Sequence, residues 1–265
     1  MSTIAENLKR ISQTIPEGVQ LVAVSKYRSR EELLEAYDAG QRVFAENRPL
    51  ELSAKASTLP EDICWHFIGH LQTNKLRYVL PYCSMIHSID SERLMNAVEK
   101  WAAAAGKMVN VLLEVHIGRE ETKQGFSGEE TLELARRVNA ARGGSGCDAG
   151  SGCDAEGKSD AESGRGAESK VVSKCDAERG CGAELWPHIR ICGLMGMASH
   201  SDDEGLIEND FSRIEDLWNE IRRSCPNLKE FKELSIGMSG DYLIALRHGA
   251  TMVRIGSAIF DREQD

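Results

Sequence analysis

The sequence predicts an α/β protein folded as a closed (β/α)8 barrel, and three observations carry that expectation. Short apolar runs, several of them rich in β-branched residues as buried parallel strands are, alternate along the chain with amphipathic stretches of helical period. Eight such runs occur. Setting aside one low-complexity stretch leaves 224 of the 265 residues, a little under the ~250 typical of eight-stranded barrels and better suited to closure than to an open doubly wound sheet.

A first helix is expected near residues 4–14, ahead of the first strand. The first strand is the run Leu-Val-Ala-Val within 21–26, followed by a helical pattern over 30–39. Strand 43–47 precedes helix 49–57, strand 65–69 precedes helix 73–80 with Thr73 as its expected cap, and strand 85–90 precedes helix 91–105. Strand 109–117 leads to helix 128–142, strand 189–197 to helix 205–223, and strand 233–238 to helix 241–248. The eighth strand is 252–256.

The stretch 143–183 differs in texture. Its 41 residues hold 10 of the 24 glycines and four of the eight cysteines, with almost no large apolar side chain, and it carries quasi-repeats such as Gly146-Cys147-Asp148-Ala149 and Gly152-Cys153-Asp154-Ala155. Such a composition cannot build a core and reads as a flexible loop inserted into a single domain spanning 1–265. Its cysteine pairs Cys147/Cys153 and Cys175/Cys181 are each separated by five residues, wider than the usual zinc-thiolate spacing, so no metal is assigned.

Composition narrows the partners. With 32 basic and 42 acidic residues the formal charge is −10, which offers no general attraction to nucleic acid or to anionic membranes. The start Met1-Ser2-Thr3-Ile4-Ala5-Glu6 has neither the basic nor the apolar region of a signal peptide, and no run reaches the ~18 apolar residues of a spanning helix. The expected location is the cytoplasm, with reduced cysteines.

In a barrel of this kind, function lies at the carboxyl ends of the strands. The first strand ends in Lys26, whose amine, desolvated at the mouth, suits Schiff-base chemistry, although a strand-end lysine is more often simply the first solvated residue. After the seventh strand comes Ser235-Ile236-Gly237-Met238-Ser239-Gly240-Asp241, and the eighth continues into Gly256-Ser257-Ala258. Small residues in both turns favour a phosphate cup, since the loops after strands seven and eight are its recurrent place. Tight turns and a helix cap at Ser239 would explain either one alone. Arg254 alternates with Val253 and Ile255, which sends its charge to the face opposite theirs, where it needs a partner.

Several motifs then resemble one family, the YggS/PROSC group of pyridoxal phosphate homeostasis proteins. They are Ala23-Val24-Ser25-Lys26, Phe44-Ala45-Glu46-Asn47, Trp65-His66-Phe67-Ile68-Gly69 with Leu71-Gln72-Thr73-Asn74-Lys75, His87-Ser88-Ile89-Asp90, Lys123-Gln124-Gly125, Gly193-Leu194-Met195, Ser235-Ile236-Gly237-Met238-Ser239 and Val253-Arg254-Ile255-Gly256. The resemblance covers the chain outside the insert. It implies an alanine racemase N-terminal-domain-like barrel that holds pyridoxal 5′-phosphate (PLP) as a Schiff base on Lys26. Arg254 would face the pyridine nitrogen, and Ser235, Met238, Ser239, Gly256 and Ser257 would hold the phosphate. Asn47 and Met197 would line the cofactor. The family's second-strand motif has glycine and an aromatic where this chain has Ala45 and Arg48.

The implied role is PLP homeostasis, with PLP as ligand, apo-enzymes that use it as recipients, and a monomeric chain. No catalytic residue is assigned. An arginine beside the pyridine nitrogen disfavours its protonation and weakens the ring as an electron sink. The chain also runs only nine residues past Gly256, so no second domain is expected to supply an opposite-face proton donor. The alternatives are a low-activity PLP-dependent amino-acid racemase or lyase, and a barrel that binds a sugar phosphate. His66 and His87 read as hydrogen-bonded histidines of the core or the mouth rather than bases, Lys75 as a solvated helix charge or an anion contact at the rim, and His200 with Asp202 and Asp203 as a metal cluster by composition that a polar barrel loop explains at least as well.

Overall fold

The computed structural model describes residues 3–118, 124–143 and 185–261. The expected loop insert falls, apart from Gly143, outside the described residues, as does Lys123. All eight strands form: β1 Gln20–Val24, β2 Val43–Glu46, β3 Cys64–Phe67, β4 Cys83–Ile89, β5 Val109–Val115, β6 Ile189–Gly196, β7 Glu233–Ser235 and β8 Met252–Ile255. They pair in parallel and in chain order, and β8 returns to β1 with Val22 opposite Arg254 and Ala23 opposite Ile255. The barrel is closed.

Every strand ends one to three residues earlier than its apolar run. The residues beyond the ladder turn into the mouth, and Lys26, Asn47, Met197, Met238 and Gly256 are the terminal residues of five expected strands that lie in these turns. Helices α1 Ile4–Ser12 and α2 Arg30–Asp38 begin with capping boxes, Thr3 with Glu6 and Ser29 with Glu32, and α3 Pro49–Ala56 starts on its proline. The expected helix 73–80 divides into a 3-10 turn, Thr73–Lys75, and α4 Leu76–Val79, so Thr73 lies inside the turn instead of capping a helix.

Helix α5 Glu92–Ala105 is capped by Ser91 and stopped by Gly106 at φ 62°, a left-handed position that suits glycine. Helices α6 Gly128–Gly143, α7 Glu204–Ser224 and α8 Tyr242–Arg247 follow. The Asp203 carboxylate caps α7 by accepting the N–H groups of Gly205 and Leu206, which gives this member of the acidic loop a structural role. A short α9, Ser257–Phe260, was not expected from the sequence.

Alternation sorts the side chains into two shells. Ala23, Phe44, Trp65, Phe67 and Ile86 face outward and pack with the helices in the main core. Inside the barrel Val22, Val24, Ala45 and Met252 form one cluster and Leu112, Cys192 and Met195 another, with Met85 packed against both. Among the described residues no helix is long and apolar enough to cross a membrane.

Candidate functional site

Lys26 leaves β1 on the face that carries Val22 and Val24, so its side chain belongs to the barrel mouth, where it is exposed. It makes no ion pair or side-chain hydrogen bond among the described residues. The turn that carries it is closed by the Arg28 N–H donating to the Ser25 carbonyl (3.1 Å), and Tyr27 sits at φ 62°. A left-handed tyrosine costs about 1 kcal/mol or more. The Arg48 guanidinium stacks over its ring at 4.6 Å and donates to its hydroxyl (3.1 Å). The arginine that departs from the family motif therefore braces the rim beside Lys26.

Arg254 lies inside the barrel and is only 4% exposed. Its Nη1 donates to the carbonyl and the hydroxyl of Ser235, both at 2.7 Å, and its Nη2 donates to the Gly196 carbonyl at 2.9 Å. Three of five N–H groups are thereby committed, and the Nε–H with one Nη2 hydrogen is left over. Burial holds the guanidinium down to about 10, opposed by Asp241 and Glu114. It remains a cation at neutral pH.

The hydrogen-bonded chain continues across the interior. His87 Nδ1 lies 3.1 Å from Ser235 Oγ, and its Nε2 lies 2.9 Å from His66 Nδ1. Burial holds His66 down to about 4 and His87 well below the usual range, the latter helped by His66 and Arg254, so both rings are neutral at pH 7. Ser235 thus departs from its expected place in the phosphate cup. It is fully buried below the mouth and its hydroxyl is already held by Arg254 and His87.

Of the other residues expected to hold a phosphate, Ser239 and Gly256 are in direct contact. The Ser239 hydroxyl accepts the N–H groups of Gly256 (3.2 Å) and Ala258 (3.4 Å), tying the β7–α8 turn to the start of α9. Ser239 therefore does not cap α8. Asp241 precedes that helix, and its carboxylate accepts the Met238 N–H at 2.5 Å, which takes the one backbone donor Met238 offers. Ser257 is exposed at the first position of α9, and its N–H and hydroxyl have no partner among the described residues. Gly256 sits against β1, where an added Cβ would lie 3.1 Å from the Val24 carbonyl oxygen. The β8–α9 junction is therefore next to the strand that carries Lys26.

Asn47 is half-buried at the end of β2, and its Oδ1 is buried without a partner among the described residues. Met197 (45% exposed) and Met238 (39% exposed) lie on the rim. Glu114 had no part in the sequence reading. It is inward-facing on β5 and 6% exposed, and burial together with Asp90 pushes its carboxyl up to about 7 against the pull of Arg254 and His70. Its signal in the sequence, a carboxylate inside an apolar run, becomes informative only once the inward face of β5 is known.

Comparison with known proteins agrees with the barrel fold. Residues 1–147 match the family profile described as alanine racemase, N-terminal domain. A pyridoxal phosphate homeostasis protein of Schizosaccharomyces pombe is 31% identical over 268 residues, covering 98% of this chain and 93% of its own. The solved structure of PipY from Synechococcus elongatus PCC7942, without PLP, is 27% identical with a TM-score of 0.76, covering 97% of this chain and 100% of that one. A second structure of PipY has PLP bound and superposes with a TM-score of 0.74 at the same identity and coverage.

Proposed function

This chain belongs to the pyridoxal phosphate homeostasis protein family, and from that premise we propose that it binds PLP at the barrel mouth and serves its intracellular homeostasis. The observation that carries the reading is the convergence of Lys26, the free donors of Arg254 and the Ser239–Gly256–Ser257 cup around the β1–β8 seam. The residues present suit the cofactor. The Gly256 backbone lies close to β1 with no room to spare for a side chain, the N–H and hydroxyl of Ser257 are available for an anion, and the buried Asn47 oxygen lacks a donor.

Within this reading Ser239, Gly256 and Ser257 hold the phosphate, and Met238 contributes its exposed side chain to the rim. Arg254 offers Nε–H or Nη2–H to the pyridine nitrogen while Ser235 and Gly196 fix its plane, which moves Ser235 from the phosphate to the support of Arg254. Asn47 and Met197 line the ring. PLP held there would supply an electrophilic aldehyde, and Lys26 would be the amine that takes it. The permanent cation at Arg254 leaves the pyridine nitrogen unprotonated, which suits storage and release better than carbanion chemistry. We place the protein in the cytoplasm, as a monomer, with PLP-requiring apo-enzymes as recipients.

A visible absorption spectrum taken with PLP, before and after borohydride, tests the reading. A band that borohydride abolishes, leaving a stable adduct, is the expected result. A barrel built for a sugar phosphate gives no such band. The racemase or lyase alternative draws on Glu114, a carboxyl able to exchange a proton near neutrality. It predicts a change of chirality or loss of a single-enantiomer amino acid supplied to the PLP-loaded protein.

A further inference from the structure

Behind the mouth, on the outward face of the barrel wall, lies a buried ion pair that contacts neither the cup nor Arg254. Glu46 ends β2 with no exposure, and its Oε1 accepts the Lys55 ammonium of α3 at 2.6 Å and the Ser25 hydroxyl at 2.7 Å. Lys55 Nζ also donates to the Ser25 carbonyl at 2.8 Å. That carbonyl belongs to the peptide joining Ser25 to Lys26, and it already accepts the Arg28 N–H that closes the turn. The Ser25 N–H in turn donates to the Ala45 carbonyl at 2.9 Å. The residue before Lys26 is thus pinned at its N–H, its hydroxyl and its carbonyl.

We propose that Glu46, acting through Lys55 and Ser25, is the positioning residue that presents the Lys26 amine to an aldehyde at the barrel mouth. Alternation sets the two faces: Ser25 and Glu46 point outward to α3, and Lys26 and Asn47 inward. The pair is poorly arranged for stability alone, because the second carboxylate oxygen, Oε2, is buried with no partner among the described residues. What the pair does secure is one orientation of the Ser25–Lys26 peptide, next to a tyrosine held in a left-handed conformation that a freer turn would abandon. In the step it serves, Nζ forms a C=N bond with the aldehyde carbon while two amine hydrogens leave with the carbonyl oxygen as water. Preorganised geometry makes that step effectively intramolecular.

The inference rests on the PLP reading, and one pair of ligands separates the two. Pyridoxine 5′-phosphate keeps the ring and phosphate but has an alcohol in place of the aldehyde, so it reports the pocket without Lys26 capture. Dissociation constants for both ligands are measured on the wild type, on Glu46→Gln and on Ser25→Ala, which leaves the ion pair in place. Loss of the charged hydrogen bonds is expected to weaken PLP binding about tenfold in Glu46→Gln and roughly threefold in Ser25→Ala. Pyridoxine phosphate binding stays within about twofold of wild type in both. An unchanged ratio of the two constants in Ser25→Ala, or an equal weakening of both ligands in either variant, overturns the proposal. A wild type that binds PLP no more tightly than pyridoxine phosphate contradicts the cofactor reading instead.

Discussion

A buried arginine whose nearest carboxylates do not hydrogen-bond to it must be held by dipoles, and Arg254 is held by two carbonyls and the Ser235 hydroxyl, with neutral histidines beyond. In Arg254→Ala the cation beside the ring is lost while Lys26 and the cup remain. PLP is therefore expected to bind covalently with a shifted visible band, and an identical spectrum would remove Arg254 from the ring nitrogen. Glu114 gives a second residue-scale expectation. Its folded carboxyl titrates near 7 against an ordinary 4.5. Its contribution to stability is full below about pH 4.5 and lost as pH rises through 7, a swing of about 3 kcal/mol. Glu114→Gln should match the wild type at pH 4.5 and exceed it in urea unfolding at pH 8. Equal stability at both pH values would show that the carboxyl is not desolvated. The position of Lys26 at the barrel mouth was legible in the sequence because the residue ends an apolar run. The burial of Glu46 and Glu114 was not, because a carboxylate on a strand shows its surroundings only when the face it occupies is known, and the hydrogen bonds of Ser235 to Arg254 and His87 were not, because they join residues far apart in the chain.

Among the elements, β8 and α9 matter most, because the Gly256–Ser257 junction joins the strand carrying Arg254 to the helix start that offers unpartnered donors. Ser257→Glu puts a carboxylate where the phosphate is proposed to sit and is expected to weaken pyridoxine phosphate binding by at least tenfold, with the melting temperature nearly unchanged. Full binding in that variant would place the phosphate elsewhere. The apolar runs located all eight strands but overshot each carboxyl end. Hydrophobicity reports burial, and some residues just past a ladder, such as Ser25, Ile236 and Gly237, are buried too, whereas the ladder stops where the backbone turns. Helix α9 escaped notice because four residues carry no helical period. The division of 73–80 follows from a 3-10 turn that the same periodicity cannot resolve.

For the whole molecule, closure was the most legible feature, since eight apolar runs in strict alternation with helices leave little choice of topology. The pairing of β1 with β8 then brings the two ends of the sequence together at one site, which explains why residues as far apart as Lys26 and Ser257 share it. The stretch 144–184 joins α6 to β6, and its composition offers almost no apolar surface to bury. We propose that replacing it by a short linker changes unfolding free energy by less than about 1 kcal/mol and leaves PLP binding intact. A larger loss would show that the stretch packs on the barrel.

The central claim, that PLP is captured at the end of the first strand, is tested most directly by reducing the PLP-loaded protein with borohydride and mapping the pyridoxyl group by peptide mass spectrometry. The account predicts the modification on Lys26, and its loss from that position in a folded Lys26→Ala variant. A pyridoxyl group found in the wild type only on another lysine, such as Lys75 or Lys123, would contradict it.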